Sequence, residues 1–326
     1  MPRIFAYIVH KSGVAADSAL ELAAAARKID PAASPTAILT GWGADLDVAC
    51  HALAASYSEV WKIAHEALAY PNAELIRKAL QKVLPTNSIV LVAHEHFGID
   101  LAPGLSIKTN SAFVSDVLDI TGVDGANLKV VRQEFGGQVS AHVRCDISSG
   151  AVITIRPGAF KPLEGAPVRG GVIDKSSDIG ALTAGRRYLE TVVAEAGDVD
   201  ITKFNVLVSI GRGIQEKDNV SIAQELADAL GAAVSCSRPV VDAKWMEKSR
   251  QVGSSGKTVK PKVYLACGIS GSFQHLAGIK GSPFLIAINK NPKAPIFQVA
   301  DVGIVDDILE FLPELTNKVR ELRHVA

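Results

Sequence analysis

The stretch that decides the fold is Val263-Tyr264-Leu265-Ala266-Cys267-Gly268-Ile269-Ser270-Gly271-Ser272-Phe273-Gln274-His275. The run Val263–Cys267 predicts a buried strand, and the Gly/Ser turn after it predicts that a helix begins near Ser272. Backbone N–H groups in such a turn suit the binding of phosphate. Gln274 and His275 add side-chain donors beyond the turn. The stretch therefore predicts an α/β sheet that binds a large anionic cofactor at the end of a strand.

The same arrangement recurs on both sides of this stretch. Apolar strands are predicted at Phe204–Ser209, from Ala233 onward and at Phe284–Ile288. They lead into Gly211-Arg212-Gly213, Ser237-Arg238 and Asn289. Ligands of open α/β sheets bind beyond the carboxyl ends of the strands. We therefore expect these segments to meet at a single site.

The loop at Gly211 is a weak nucleotide-binding signal by itself. Glu216 occupies the place of the third glycine in the Gly-x-Gly-x-x-Gly fingerprint. The sequence therefore disfavours an NAD-type Rossmann site, and it offers no acid–base constellation for an NAD-dependent oxidoreductase.

Composition limits the class of protein. The chain has 326 residues, of which 48% are hydrophobic and 21% charged, which predicts a globular chain long enough for two domains. Lys+Arg and Asp+Glu are both 34, so the balance gives no case for nucleic acid or for an anionic membrane surface. No apolar run reaches transmembrane length and no leader is evident, so we expect a soluble, cytoplasmic protein without membrane insertion.

The four cysteines are widely spaced and form no Cys-x-x-Cys pair. They are Cys50, Cys145, Cys236 and Cys267. This pattern predicts free buried thiols in a reducing compartment and no iron–sulfur cluster in this chain.

The first two hundred residues predict a second α/β sheet. Strands and helices alternate over Ile4–Val9, Asp17–Ile29, Thr36–Leu39, Leu46–Ala55, Glu59–Ile63, Asn72–Val83 and Ser88–Ala93. After Ser111, strands separated by short turns predict antiparallel hairpins and hence a mixed sheet. These strands are Ala112–Ile120, Lys129–Arg132, Gln138–Arg144 and Ala151–Ile155. We expect domains at 1–200 and 201–326, with Gly197-Asp198 as a candidate hinge.

His94-Glu95-His96 follows a predicted strand and invites comparison with a metal site. The sequence offers no third ligand, so a strand-end loop at a subunit or domain contact is the preferred interpretation. We expect no metal site in this chain.

From Ser237 onward the sequence resembles the α-subunit of electron-transfer flavoproteins. The matching segments are Ser237-Arg238, Val241-Asp242, Gln251 through Pro261, Leu265 through His275, Ala287 through Asn291 and Ala294 through Asp301. In the first domain, Asp100 through Pro103 and Ile155 through Phe160 also match. The resemblance covers nearly the whole chain.

The resemblance implies a heterodimer in which the second, Rossmann-like domain binds FAD and the first contacts the β-subunit. It implies AMP or a second FAD in that subunit. The FAD-binding residues that it implies are Arg212, Ser237, Arg238, Gln251, Val252, Gly253, Ser254, Ser255, Gly268, Ile269, Ser270, Gly271, Ser272, Phe273, Gln274, His275, Asn289, Asp307 and Ile308. Arg238 is expected beside the isoalloxazine ring, Ser255 near its N5 and His275 near its O2. Asn289 and Asp307 are expected to hold the AMP half.

Simpler roles remain open for four of these residues. Arg238 could be a phosphate clamp or a surface ion pair, and His275 a helix-end histidine whose hydrogen bonds are satisfied. Asn289 could be a turn residue, and Asp307 an acid at a helix N-terminus.

Three positions depart from the family pattern. Ser255 stands where threonine is common, so its hydroxyl is expected to be less rigid. Lys244 stands where glycine is common, and Gly104 where a basic residue often follows Asp-Leu-Ala-Pro.

The implied function is that of an electron carrier and not of an enzyme with its own substrate. Electrons would come from flavin dehydrogenases, such as those of fatty acid β-oxidation, and pass through a stabilised flavin semiquinone to a quinone-linked oxidoreductase or another acceptor. The first alternative is an electron-bifurcating flavoprotein that uses NADH, with a second FAD in the β-subunit. The second alternative is an NAD-dependent oxidoreductase.

Overall fold

The computed structural model describes residues 2–162, 169–186, 188–190, 199–281 and 283–325. The chain divides into two compact units, 1–190 and 191–326. The predicted boundary after residue 200 stays a prediction, and the candidate hinge Gly197-Asp198 lies outside the described residues.

The first unit is built on a nine-stranded mixed sheet. Its strands, with the small ribbon β2–β3, are β1 (Ile4–Tyr7), β2 (His10–Lys11), β3 (Val14–Ala15), β4 (Thr36–Gly41), β5 (Glu59–Ala64), β6 (Ile89–Ala93), β7 (Ala112–Asp124), β8 (Asn127–Glu134), β9 (Val139–Asp146), β10 (Ala151–Ile155) and β11 (Gly171–Asp174). Its helices are α1 (Ser18–Ile29), α2 (Ala44–Leu53), α3 (Ala73–Val83) and α4 (His96–Lys108). The order is β11-β5-β4-β1-β6-β10-β7-β8-β9. Among the described residues of this sheet, β7–β8 and β8–β9 pair antiparallel and the other neighbours pair parallel, which confirms the predicted mixed sheet. The strand β10, predicted among the hairpin strands, instead pairs parallel with β6 and β7.

Apolar side chains on both faces of this sheet hold the helices. Ile4 and Ala6 of β1 pack in a layer with residues of α1 and α2, whereas Phe5 and Tyr7 pack in a layer with residues of α3 and α4. This alternation follows from the two-residue period of a strand. Helices therefore cover both faces, as the βα alternation predicts.

Short polar signals set several element ends. The side chain of Asn72 accepts hydrogen bonds from the backbone N–H groups of Glu74 and Leu75, at 2.9 and 3.3 Å, and so caps α3. Gly125, with φ +60°, turns the chain between β7 and β8. Both features lie where the sequence places a helix start and a hairpin turn.

Helix α4 is an element that the sequence pattern does not indicate, because it contains Pro103 and two glycines. A Cβ at Gly98 would meet the carbonyl oxygen of Ala93, so glycine lets the helix start close to β6. Across Gly104 lies the side chain of Arg77, whose Nη1 donates to a backbone carbonyl of α4 at 2.7 Å. Arg77 thus brings a basic group next to position 104.

The second unit is a five-stranded parallel sheet with helices. Its strands are β12 (Val206–Ile210), β13 (Ala233–Cys236), β14 (Val263–Cys267), β15 (Phe284–Ile288) and β16 (Val302–Ile304). Its helices are α5 (Val220–Leu230), α6 (Arg238–Asp242), α7 (Phe273–Leu276) and α8 (Ile308–Val325). The order β13-β12-β14-β15-β16 is doubly wound and reverses between β12 and β14. Ligand crevices of such sheets lie at this reversal, beyond the carboxyl ends of the strands.

Within the part of the chain that the structure describes, no helix combines the length and the apolar character needed to cross a bilayer.

Candidate cofactor-binding site

The loops after β12 and β14 meet at the point where the strand order reverses. Gly211 N–H donates to the carbonyl oxygen of Cys267 at 2.9 Å, and Gly213 N–H donates to that of Gly268 at 3.1 Å. A Cβ at Gly213 would lie 2.6 Å from the Cα of Gly268, so no larger residue fits this approach. Gly268 also has φ +64°, a conformation that glycine adopts without strain. Close backbone contact is thus built here without the third glycine of a dinucleotide fingerprint.

The turn after β14 carries backbone donors. The N–H groups of Ser270, Gly271 and Ser272 have no acceptor among the described residues. Gly271 has φ +85°, and the carbonyl oxygen of Ser270 accepts from Ile296 N–H at 3.0 Å. A held loop with free N–H groups suits an anionic ligand such as a phosphate.

Beside this turn lies a cleft of about 290 Å³. Three separate segments of the second unit line it: Ser237, Arg238, Pro239 and Asp242; Gln251, Val252, Gly253, Ser254 and Ser255; and Ser272, Gln274 and His275. The structure therefore brings together ten of the residues implied by the resemblance, and it adds Pro239 and Asp242, which the sequence analysis did not assign to the site. The i,i+4 spacing of Asp242 from Arg238 is the signal that could have identified Asp242.

The loop between residues 251 and 257 is fixed from both ends. Ser254 N–H donates to the carbonyl oxygen of Gln274 at 2.7 Å. A Cβ at Gly253 would lie 2.8 Å from the same oxygen. The buried Gln251 donates from Nε2 to Ser255 Oγ at 2.9 Å. This bond restrains a hydroxyl that the sequence alone predicts to be less rigid.

Arg238 is the first residue of α6 and is exposed. Its Nε lies 3.4 Å from Asp242 Oδ2, and its side chain is 67% exposed. The surface ion pair left open by the sequence is therefore present. An ion pair this exposed is weak, so the guanidinium can exchange partners at the rim of the cleft.

His275 is buried at the floor of the cleft, with 4% of its surface exposed. Its Nε2 lies 2.9 Å from the hydroxyl of Tyr264, whereas its Nδ1 is buried without a hydrogen-bond partner among the described residues. Burial lowers the pKa of His275 to about 4, and the Val252 backbone only partly opposes this shift. The imidazole is thus neutral at pH 7. It can therefore offer a ligand a hydrogen bond but not a positive charge.

The other predicted residues lie outside the cleft. Asn289 donates from Nδ2 to the carbonyl oxygen of Ile269 at 2.9 Å, and its Oδ1 accepts from Asn291 N–H at the same distance. Asp307 accepts from Leu309 N–H at 3.0 Å and pairs with a neighbouring lysine. Both residues therefore do have the structural roles left open by the sequence.

Some predicted residues present little side chain to a ligand. The side chains of Val252, Ile269 and Ile308 are buried, which leaves their backbone atoms for binding. Arg212 and Phe273 are exposed in the short helical turn after β12 and at the start of α7.

Lys244 adopts φ +60°, the left-handed conformation that glycine favours. A glycine at this position would adopt the same backbone conformation without strain.

Outside this unit, His94 is engaged with polar neighbours of the first sheet. Its Nδ1 lies 2.8 Å from Thr154 Oγ1 and its Nε2 3.9 Å from Asp116 Oδ1. Over the described ranges, no cluster of three or more His, Cys, Asp or Glu side chains could hold a metal ion.

Comparison with known proteins gives two family matches. The electron transfer flavoprotein domain matches residues 4–195, and the electron transfer flavoprotein FAD-binding domain matches residues 200–280.

Three relatives illustrate the range of similar proteins. Electron transfer flavoprotein subunit alpha of Methylophilus methylotrophus is 44% identical over 70% of this chain and 70% of its own length. A probable mitochondrial electron transfer flavoprotein subunit alpha of Cryptococcus neoformans var. grubii is 33% identical over 82% and 77%. The LctC subunit of a lactate dehydrogenase (NAD(+),ferredoxin) of Acetobacterium woodii is 32% identical over 76% of this chain and 59% of its own length.

Proposed function

Since the chain belongs to the electron-transfer flavoprotein family as an α-subunit, we propose that it holds FAD in the cleft and on the adjoining glycine turns of its second unit. The family match supplies an FAD-binding domain, an electron-carrier function and the expectation of a β-subunit partner. The observation that carries the assignment of the site is the meeting of three distant segments around His275.

The glycine turns of the second unit suit the pyrophosphate that links the two halves of FAD. The free N–H groups of the turn at Ser270, Gly271 and Ser272 suit the pyrophosphate. Gly211, Gly213 and Gly268 let the loops after β12 and β14 pack directly against each other, at the strand-order reversal where nucleotides bind in such sheets.

In the cleft, Arg238 and His275 would act on the ring system in different ways. Arg238 places a permanent positive charge at the rim. His275 offers a neutral imidazole nitrogen from a buried position, where hydrogen bonds are stronger than in water. Bound FAD supplies the redox chemistry, and the chain's residues bind it, orient it and set its potential.

We propose conventional electron transfer as the specific function. Electrons would come from flavin dehydrogenases, including those of fatty acid β-oxidation, and go to a quinone-linked oxidoreductase or another acceptor in the cytoplasm. This chain is 44% identical to the Methylophilus subunit over the matched residues and 32% identical to LctC.

Electron bifurcation is a second candidate, because LctC is named as part of an NAD(+)- and ferredoxin-linked enzyme. It differs from the first proposal in the number of flavins and in reduction by NADH.

The proposed FAD site is tested by co-expression with the β-subunit and a visible absorption spectrum of the purified complex. We expect a bound flavin that is released as FAD on denaturation. A complex that remains colourless after FAD is added would refute the proposal.

A further inference from the structure

Three hydroxyl groups lie in an otherwise apolar layer beneath the cleft. Ser209 of β12, Ser235 of β13 and Tyr264 of β14 are each 0% exposed. Ser209 pairs with Ser235, and Tyr264 pairs with Leu207, so all three side chains share one face of the sheet. Leu207, Tyr264 and further apolar residues form the core layer on this face.

Tyr264 connects this layer to His275. Its hydroxyl donates to Ser209 Oγ at 2.7 Å and lies 2.9 Å from His275 Nε2. The two rings are tilted by 58° with centroids 6.1 Å apart, so the hydroxyl is the polar contact between them.

A buried hydroxyl is costly unless it is hydrogen-bonded, at roughly 1–3 kcal/mol for an unsatisfied group. Phenylalanine would fill the same volume of core without that requirement. Burial also raises the pKa of Tyr264, so its phenol stays protonated and neutral. A neutral hydroxyl at this place is therefore suited to orienting the imidazole.

The two nitrogens of His275 are in different situations. Nε2 is held from the core side by Tyr264, whereas Nδ1 is buried and has no partner among the described residues. The hydrogen bond at one ring nitrogen fixes the tautomer of a histidine and the orientation of its ring. Nδ1 is therefore the ring nitrogen whose hydrogen bond the described residues leave unmade, although the Val252 backbone lies near the imidazole.

We propose that Tyr264 is a positioning residue that holds His275 in one tautomer and one orientation, with Nδ1 presented to the cofactor. One consequence, that the reduction potential of the flavin depends on Tyr264, rests on the proposed function. The positioning itself is a property of the chain without cofactor.

The test uses the complex with the β-subunit, labelled with ¹⁵N-histidine and freed of cofactor. The His275 signals are assigned with a His275→Gln variant. We expect one dominant tautomer in the wild type and comparable populations of both tautomers in Tyr264→Phe. The matched control is Tyr7→Phe, which removes another buried hydroxyl, 2.8 Å from Thr40 Oγ1 in the first unit. It should leave the His275 signals unchanged.

The same His275 tautomer ratio in Tyr264→Phe and in wild type would overturn the proposal. Circular dichroism of both variants shows whether the fold is retained. Tyr264→Thr serves as a second variant, because its hydroxyl is too far from the His275 ring to replace that of tyrosine. We expect it to behave like Tyr264→Phe.

A second measurement separates this inference from the proposed function. With FAD bound, the first reduction potential should shift in Tyr264→Phe and not in Tyr7→Phe. A changed tautomer ratio with an unchanged potential would refute the flavin-facing role of His275, while the role of Tyr264 in holding the ring would stand.

Discussion

Arg238 and His275 reach the cleft from opposite environments. The guanidinium of Arg238 is largely exposed, and His275 is almost completely buried. Solvent screening weakens the effect of the first, whereas the low polarity around the second strengthens its hydrogen bonds. We therefore expect Arg238 to adjust the potential modestly and His275 to depend on accurate placement.

Replacing Arg238 by alanine should lower the first reduction potential of the bound flavin without loss of fold. Exposed charge interactions contribute about 0.2–1 kcal/mol, which for one electron is on the order of 10–40 mV. Potentiometry of the complex measures this shift.

The control for Arg238 is Arg320→Ala. Arg320 lies 3.4 Å from Glu225 in a similar exposed ion pair, and it is not among the residues that line the cleft. We expect the first reduction potential of the flavin in Arg320→Ala to equal that in the wild type. The same first reduction potential in Arg238→Ala and in Arg320→Ala would contradict the proposed effect of Arg238 on the flavin.

His275 should make the stability of the chain depend on pH. Its pKa is about 4 in the folded chain, against an ordinary value of 6.5. Between these values the unfolded chain binds the proton and the folded chain does not, so stability is present above pH 6.5 and is lost as pH falls towards 4. The loss is on the order of 2–3 kcal/mol.

Urea unfolding between pH 4 and 7 measures this dependence. The fall should be smaller in His275→Gln than in the wild type, and unchanged in His142→Gln, whose side chain is exposed on β9. Parallel curves for the wild type and His275→Gln would show that burial does not depress this pKa.

At the scale of elements, the site depends on how closely two loops approach. The loops after β12 and β14 meet through backbone atoms of Gly211, Gly213 and Gly268. No side chain is needed for this contact, and none fits there. The position of the proposed pyrophosphate site is therefore set by the packing of the loops.

Gly268→Ala should damage both stability and FAD binding. The new Cβ would lie 2.7 Å from the Cα of Gly213 and 3.0 Å from Ile308 Cδ1, and the residue would keep a strained φ of +64°. We expect a loss of roughly 2–4 kcal/mol and at least a tenfold weaker affinity for FAD.

Gly231→Ala is the matched control for the backbone strain. Gly231 has φ +66° at the end of α5, but its nearest neighbour is the end of a flexible side chain at 3.6 Å. Gly231→Ala should lower the free energy of unfolding by about 1 kcal/mol and leave the affinity for FAD unchanged. Similar results for both variants, by urea unfolding and FAD titration, would mean that loop contact is unimportant.

At the scale of the whole molecule, the chain supplies one unit matched to an FAD-binding domain and one with a mixed sheet and hairpin strands. We predict that the complex with the β-subunit contains one FAD and one AMP and is not reduced by NADH. Cofactor counting after denaturation, together with anaerobic addition of NADH, measures both properties. Two FADs and rapid reduction by NADH would support bifurcation instead.

The sequence by itself determined the architecture of both units and much of the site. The βα alternation and the short turns after Ser111 gave the parallel and mixed sheets, because hydrophobic period and turn chemistry are local properties. The Gly and Ser residues after each apolar run likewise located the ends of the strands. The meeting of Ser237 with the segment that ends at His275 followed, since parallel strands end at one edge of a sheet, whereas the loop at Gly253 was implied only by the family resemblance.

Only the tertiary structure decided what surrounds each of these residues. Helix α4 was missed because Pro103 and two glycines obscure its pattern, and its packing on the sheet outweighs those local preferences. The contacts of Tyr264 with Ser209 and His275 join residues 55 and 11 positions apart. Such contacts depend on strand order and on burial, which act over long range. Burial of His275 keeps its imidazole neutral at pH 7, and burial is likewise decided only by the tertiary structure.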